Sequence, residues 1–243
     1  MLILINLESA LARRVSMEVQ LQAAGLAAER VGIDLRGVAR PDAREIARCA
    51  VPAFRFGGLL SGPEIGCWMS HLTAWQRAID ARVPACTVIE DDLVLQPHFA
   101  EAHRRLTREP LHDVVYLGTS SRNISMRHPE ACGPFDLHRP IGGVLNTWGY
   151  VVRTEFAAHF LAAGGTVTRP IDHVVGGSTR RGRPDVAVLQ PPAVHEHSTF
   201  ASRSQIAPFT GRPDRAVVVE ELRRKFLESR LGDAYYAAIT RLF

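Results

Sequence analysis

Three carboxylates in a row, Glu90-Asp91-Asp92, follow directly on the apolar, β-rich run Cys86–Ile89, and this junction constrains the fold more than any other feature of the chain. The run reads as a buried central strand, so the acids stand at its carboxyl end, where open α/β sheets bind ligands. Like charges packed together disfavour ionisation unless a cation neutralises them. A hard divalent ion, Mg2+ or Mn2+, is the simplest answer, and such ions complete their shell from a nucleotide diphosphate and water. The competing reading is a solvated acidic turn that caps the next helix.

Around that strand the pattern alternates. Leu2–Leu7 reads as a strand, and Ala10–Ala24 as a helix with Leu11, Val15, Val19 and Ala23 on its apolar face before Gly25. Val31–Leu35 reads as a second strand, and residues 37–62, with Pro41, Pro52 and Gly57-Gly58, as partly irregular. Pro63 opens a helix to Asp80 with Ile65, Trp68, Leu72, Trp75 and Ile79 on one side. A helix over Pro97–Arg108, a strand over Val114–Leu117, a loop over 119–143 and a strand over Val144–Val152 follow. Glu155–Ala163 after Thr154 reads as a helix, Asp185–Leu189 as the last clear strand, and residues 214–243 as a basic helical tail. The expectation is one α/β domain over 1–213 with a mixed central sheet, carrying the tail as an extension.

The chain's 243 residues and 46% hydrophobic content suffice for one such domain. The net charge of +4 comes almost wholly from arginine, Lys225 being the only lysine, and suits an anionic small molecule or membrane face. It lacks the clustered stripe of a nucleic-acid binder, so no nucleic-acid partner is expected. Cys49, Cys67, Cys86 and Cys132 are too scattered for a disulfide framework and read as reduced, mostly buried thiols. Met1–Leu7 has no basic leader, and no apolar run reaches the ~18 residues of a membrane span. A cytoplasmic location is expected.

Other segments carry possible chemistry. Ser61-Gly62-Pro63-Glu64-Ile65-Gly66-Cys67, with Ser70-His71, sets Glu64 and His71 seven apart on one helix face, and Gly66 permits a close backbone approach. The plain alternative is a core helix with a helix-start carboxylate and a hydrogen-bonded histidine. His195-Glu196-His197 puts two imidazoles on one side of a strand; the pair is short of ligands for zinc, but His195 can join the carboxylate-bound ion. Asp172, after Pro170-Ile171, is a lone carboxylate in apolar surroundings and reads as a general base of raised pKa or as a turn.

Taken together, Ile5-Asn6-Leu7 with Arg14, the Ser61–His71 helix motif, Val88-Ile89-Glu90-Asp91-Asp92, Asn146-Thr147-Trp148-Gly149-Tyr150 and Pro170-Ile171-Asp172 resemble glycosyltransferase family 25, in the family's order and over roughly residues 1–200. The family comprises sugar transferases of lipooligosaccharide biosynthesis. The resemblance implies a GT-A-like, Rossmann-like fold, a UDP-sugar donor with galactose as the expected hexose, and Mn2+ (or Mg2+). By position it gives Glu90 and Asp92 the outer places of a DxD-like motif, with Asp91 between them and Asp92 the principal metal ligand. It sets Asn6, Leu7, Arg14 and Asn146 at the nucleotide, and Ser61, Glu64, Ser70 and His71 at the sugar pocket. Pro63, where the family varies, and the histidine pair depart from the pattern.

The reaction so implied is an inverting transfer to a saccharide or glycolipid acceptor, with Asp172, then Glu196 and Glu64, as the base. A metal-dependent phosphoesterase and a noncatalytic sugar-nucleotide-binding domain are the rival classes. The basic tail either packs through its apolar face or lies peripherally on the cytoplasmic face of the inner membrane.

Overall fold

The computed structural model describes residues 1–57, 60–119, 129–140, 144, 146–176 and 184–201. The expected tail over 214–243 and, of the expected loop over 119–143, residues 120–128 and 141–143 lie outside the described residues.

The alternation predicted from periodicity is present, with additions. In chain order the elements are β1 (Leu2–Ile5), α1 (Leu11–Ala23), β2 (Glu29–Val31), α2 (Arg40–Ala50), β3 (Phe54–Phe56), α3 (Gly62–Asp80), β4 (Ala85–Glu90), β5 (Leu93–Leu95), α4 (Phe99–Arg108) and β6 (Val114–Tyr116). Then come β7 (Glu130–Cys132), β8 (Phe135–His138), β9 (Gly149–Arg153), α5 (Thr154–Ala163), β10 (Gly165–Val167), α6 (Ile171–Val175), β11 (Val186–Gln190), β12 (Val194–Glu196) and α7 (Ser198–Ala201). Eight strands form one mixed sheet in the order β2-β1-β4-β9-β6-β11-β8-β7. β1 runs parallel to β2 and β4, and β6 to β11, while β9 runs antiparallel between β4 and β6.

Strand period two sorts the side chains into two cores, one on each face of the sheet. Ile3, Cys86, Val88, Tyr150 and Val152 join the core under α2, α3 and α5; Leu2, Leu4, Ala85, Ile89 and Val151 join the core under α1 and α4. Helix α3 anchors the first. Ile65, Trp68, Leu72 and Trp75 are buried on the side that the sequence marked, and full burial of large apolar side chains stabilises by about 1.5–3 kcal/mol each. Trp68 and Trp75 pack against Phe160 of α5 at centroid distances of 6.2 and 5.3 Å. Ser61 caps α3 in a reciprocal box: the Ser61 backbone N–H donates to Glu64 Oε2 at 2.7 Å, and the Glu64 N–H donates to Ser61 Oγ.

Several expectations are corrected. Residues 37–62 contain α2 and β3, because Pro41 falls in the first turn of α2, where its missing N–H costs nothing. β2 precedes the expected Val31–Leu35 strand, whose residues after Val31 leave the sheet as a loop. The expected strand over Val144–Val152 begins only at Gly149, since Asn146 takes a left-handed φ of 72° that no ladder admits. β7 and β8 form a hairpin inside the stretch read as loop. On α1 the apolar row Leu11, Val15 and Val19 faces outward, and Arg13, Met17 and Leu21 are buried instead. Among the cysteines, all free, Cys86 and Cys132 are buried, Cys67 is half-buried and Cys49 is exposed. No helix among the described residues is long and apolar enough to cross a membrane.

Candidate functional site

β1 and β4 are parallel neighbours, so the residues at and just past their carboxyl ends, Asn6 and Glu90-Asp91-Asp92, open into the same cleft. β9 runs the other way, which brings the residues before it, Thr147 and Trp148, to the same edge; the Glu90 N–H donates to the Trp148 carbonyl at 2.8 Å. The cleft's second wall is the loop Ile33–Arg36 together with Pro63, Cys67 and Ser70 of α3. That loop sits close because Gly66 has no side chain: a Cβ there would stand 2.6 Å from the Ile33 carbonyl oxygen. Ser70 Oγ, accepting from the Ile33 N–H at 2.9 Å and donating to the Gly66 carbonyl at 2.8 Å, locks the approach.

Each acid is held differently. Asp91 is buried, with Oδ2 accepting from Asn6 Nδ2 at 2.7 Å and Oδ1 from Arg13 at 2.9 Å. Its pKa is nevertheless raised, because burial outweighs those two bonds. Glu90 is half-buried and accepts from the Thr147 hydroxyl. Burial pushes its carboxyl up, but His71 and Thr147 beside it and the charge of Arg13 hold it below the usual range. Asp92 meets Arg13 at 3.2 Å through Oδ2. Burial first and the Glu90 charge next push its carboxyl up to about 7, against the pull of Arg13. Asp92 Oδ1 is buried and has no hydrogen-bond partner among the described residues.

Behind Glu90 a buried polar network crosses from α3 to β9. The Trp75 indole N–H donates to the Tyr150 oxygen at 2.9 Å, and the same hydroxyl lies 2.7 Å from His71 Nδ1. Indole nitrogen can only donate, so the Tyr150 proton is free to go to His71. His71 Nε2 then faces Glu90 Oε1 at 3.5 Å, too long for a well-formed hydrogen bond.

The residues picked from sequence separate into those the cleft gathers and those it does not. Asn6, Leu7, Ser70, Glu90, Asp91 and Asp92 line it, and His71 stands behind it against Glu90. Ser61 and Glu64 are engaged in capping α3, the plain alternative given above. Asp172 lies at the start of α6, where Oδ2 accepts from the Asn146 N–H at 3.2 Å and Oδ1 from the His173 N–H at 2.9 Å. Asn146 thus reaches Asp172 through its backbone. Arg14 turns away: it pairs with Glu18 at 3.6 Å and lines a different groove with Leu4 and Leu21. His195 is exposed on β12 opposite Val94, and Glu196 is exposed opposite Leu93. Among the described residues the three ligand atoms within 4.8 Å of one another come from Cys67, His71 and Glu90, so the expected set Asp92, Glu90 and His195 is not assembled. The segment after β12 does return to the acids through its backbone, the His197 N–H donating to the Asp92 carbonyl at 2.7 Å and the Phe200 carbonyl accepting from Arg13 at 3.2 Å.

Sequence reasoning missed Arg13, Thr147, Tyr150 and Cys67. For Arg13 a signal existed: it shares the i, i+4, i+8 face of Met17 and Leu21, and an arginine on a buried stripe calls for a buried acid.

An eight-stranded mixed sheet between helical layers, with acids at the carboxyl ends of its parallel strands, defines a Rossmann-like α/β domain of the GT-A type. Residues 1–175 match Glycosyltransferase family 25 (LPS biosynthesis protein), and the chain belongs to that family. It is similar to procollagen galactosyltransferase 1 of Danio rerio, 28% identical over 114 residues, which are 44% of this chain and 18% of that protein. It is also similar to lacto-N-neotetraose biosynthesis glycosyltransferase LgtB of Neisseria meningitidis serogroup B, 44% identical over 45 residues, 18% of this chain and 16% of that protein. A glycosyltransferase 25 family member of Drosophila melanogaster is 25% identical over 116 residues, 46% of this chain and 18% of that protein. The matched stretches therefore span less than a fifth of each relative's length.

Proposed function

We propose that the chain is a glycosyltransferase that moves a hexose, galactose being the first choice, from a UDP-sugar to a saccharide or glycolipid acceptor with inversion at the anomeric carbon. The observation that carries the reading is the buried, unpartnered Asp92 Oδ1 in a cleft shared with Glu90 and Asp91. An orphaned carboxylate oxygen beside two more acids suits a hard divalent cation, Mn2+ or Mg2+, with Asp92 and Glu90 as its holders and His195 left out. Such an ion supplies Lewis-acid stabilisation of the departing diphosphate.

The chain's own residues do the rest. The nucleoside lies along Leu7 and the loop Ile33–Arg36, whose Arg36 is held by Asp34 at 2.6 Å. Arg13 and Asn6 fix Asp91, while Thr147 fixes Glu90, so the acids need little reorganisation when the donor arrives. Asp172 is the base: one carboxylate oxygen takes the acceptor hydroxyl's proton as that oxygen attacks the anomeric carbon from the face opposite the diphosphate, whose bond to carbon breaks. Glu64, tied into its cap, and Glu196, exposed on β12, are weaker choices. The protein works in the cytoplasm in surface-glycan assembly, a reading supported by the family's description as an LPS biosynthesis protein.

The test is UDP release from a panel of UDP-sugars, with Mn2+ present or chelated, for the parent, Asp92→Asn and Asp172→Asn. The reading expects metal-dependent release with one sugar, lost in Asp92→Asn, and a fall in kcat with little change in donor KM for Asp172→Asn. Absence of UDP binding in the parent overturns it, and near-normal turnover of a folded Asp172→Asn removes that residue from the role of base.

A further inference from the structure

Helix α3 carries Cys67 and His71 one turn apart, so both side chains leave the same face, and that face looks onto the last residue of β4, Glu90. The Cys67 sulfur, a His71 ring nitrogen and a Glu90 carboxylate oxygen all lie within 4.8 Å of one another. We infer that these three side chains form a binding site for a thiophilic divalent cation, Zn2+ by chemistry, adjoining the oxygen-only pair assigned to the donor's ion and sharing Glu90 with it.

Three observations point the same way. His71 is fully buried, yet its Nε2 has no hydrogen-bond partner among the described residues and is aimed at Glu90. The 3.5 Å from Nε2 to Glu90 Oε1 is long for a hydrogen bond, but it fits two ligands of one tetrahedral ion, which sit roughly 3.4 Å apart when each is about 2.1 Å from the metal. His71 Nδ1 already has the Tyr150 hydroxyl at 2.7 Å, the kind of outer partner that orients a metal-bound imidazole. On binding, the imidazole proton moves from Nε2 to Nδ1 and the bond reverses: Nδ1–H donates to the Tyr150 oxygen, which also accepts from Trp75, and the hydroxyl's own hydrogen turns away from His71.

The ligand set selects the metal. A thiolate and an imidazole suit Zn2+ or Co2+ and disfavour Mg2+ and Mn2+. Thiolate plus carboxylate give two negative charges, which neutralise one divalent ion beside the fully buried His71. In the metal-free protein burial keeps the Cys67 thiol well above its usual range, with Glu90, Asp172 and Glu64 adding to the effect. Binding therefore breaks the S–H bond, forms the S–metal bond and sends the proton to solvent. The fourth position opens towards the cleft that Cys67 lines. Because Glu90 serves both sites, zinc in this place draws Glu90 away from Asp92 and acts as an inhibitor of donor binding. The binding itself does not depend on the transferase reading.

The experiment titrates the full chain, in a Cys49→Ser background that removes the exposed thiol, with Co2+ and then Zn2+. Co2+ should produce a thiolate-to-cobalt charge-transfer band in the near ultraviolet, bleached by added Zn2+, in the parent and equally in Asp92→Asn. In Cys67→Ala the band should vanish and Zn2+ affinity, read by competition with a chromophoric chelator, should fall by roughly a hundredfold or more. Cys67→Ser, with the same metal-free melting temperature as the parent, should also lack the band, which separates ligand loss from misfolding. A band that persists without Cys67, one that disappears in Asp92→Asn, or a parent that binds no Co2+ overturns the inference.

Discussion

Replacing Arg13 with methionine isolates what holds the acid cluster together. Arg13 and Asp91 meet at 2.9 Å with side chains only 9% exposed each, so methionine leaves a carboxylate buried without its counter-charge. Removing one partner of such a pair costs about 3–5 kcal/mol. Asp91 keeps its 2.7 Å bond from Asn6, and methionine retains the apolar stem, so the expected loss lies near the lower end, about 3 kcal/mol. In Arg13→Met/Asp91→Asn the charge on Asp91 is gone and only Asp92, 3.2 Å from the guanidinium, loses its partner, so the deficit should shrink to about 1 kcal/mol, a coupling of about 2 kcal/mol plus whatever Asp91→Asn costs alone. The contacts of Arg13 with Phe200, a 3.2 Å bond to its carbonyl and a 5.4 Å stack on its ring, are lost in both variants and cancel in the cycle. Urea unfolding of the four proteins at low salt, with chelator present so that no cation replaces the guanidinium, gives the four free energies. If Arg13→Met loses less than about 1 kcal/mol, or if the two substitutions simply add, Arg13 is not the internal counter-ion and the reasoning fails.

Three further outcomes are expected. Tyr116→Phe should be neutral or raise stability by up to about 1 kcal/mol in thermal unfolding, because the Tyr116 hydroxyl is buried with no partner among the described residues and its removal leaves none of them unsatisfied; a loss above that size would mean the hydroxyl is bonded. His103, on α4, is buried against the Thr87 hydroxyl at 2.7 Å, and burial first, then the positive charges of the Met1 amino group and Arg104, lower its pKa from 6.5 to about 4. The unfolded chain binds that proton first, so this contribution is complete above about pH 6.5 and is lost as pH falls towards 4; allowing for partial solvation it is about 2 kcal/mol, and His103→Gln should flatten the stability-against-pH curve in that window by that amount. Gly66→Ala should lower stability by about 1–3 kcal/mol and weaken UDP binding, since its Cβ would meet the Ile33 carbonyl at 2.6 Å; unchanged melting and UDP affinity would show that the 33–36 loop can move aside at no cost.

The sequence by itself determined the α/β layering and the position of the acids. The continuous apolar runs in Leu2–Ile5 and Ala85–Glu90, and helical period in Gly62–Asp80, are local properties, as is the Ser61/Glu64 cap, so they survive without knowledge of any neighbour. The placing of Glu90-Asp91-Asp92 at a strand's end is likewise covalent, and the fold could move it nowhere else. What only the tertiary structure decided is who faces those acids. Periodicity shows that α1 has faces but not which one meets the sheet, so Leu11, Val15 and Val19 looked like the buried row while Arg13 holds that place. The contacts of Glu90 come from residues 19 positions before it and 57 after it, His71 and Thr147, brought together because antiparallel β9 was inserted between the parallel pairs β1·β4 and β6·β11. His195 was separated from the acids by the same cause, the register of β12 on β5, which leaves it exposed opposite Val94. Strand order and register are set by the free energy of closing the whole core rather than by any one segment, and that is why they, and the chemistry that depends on them, could not be read along the chain.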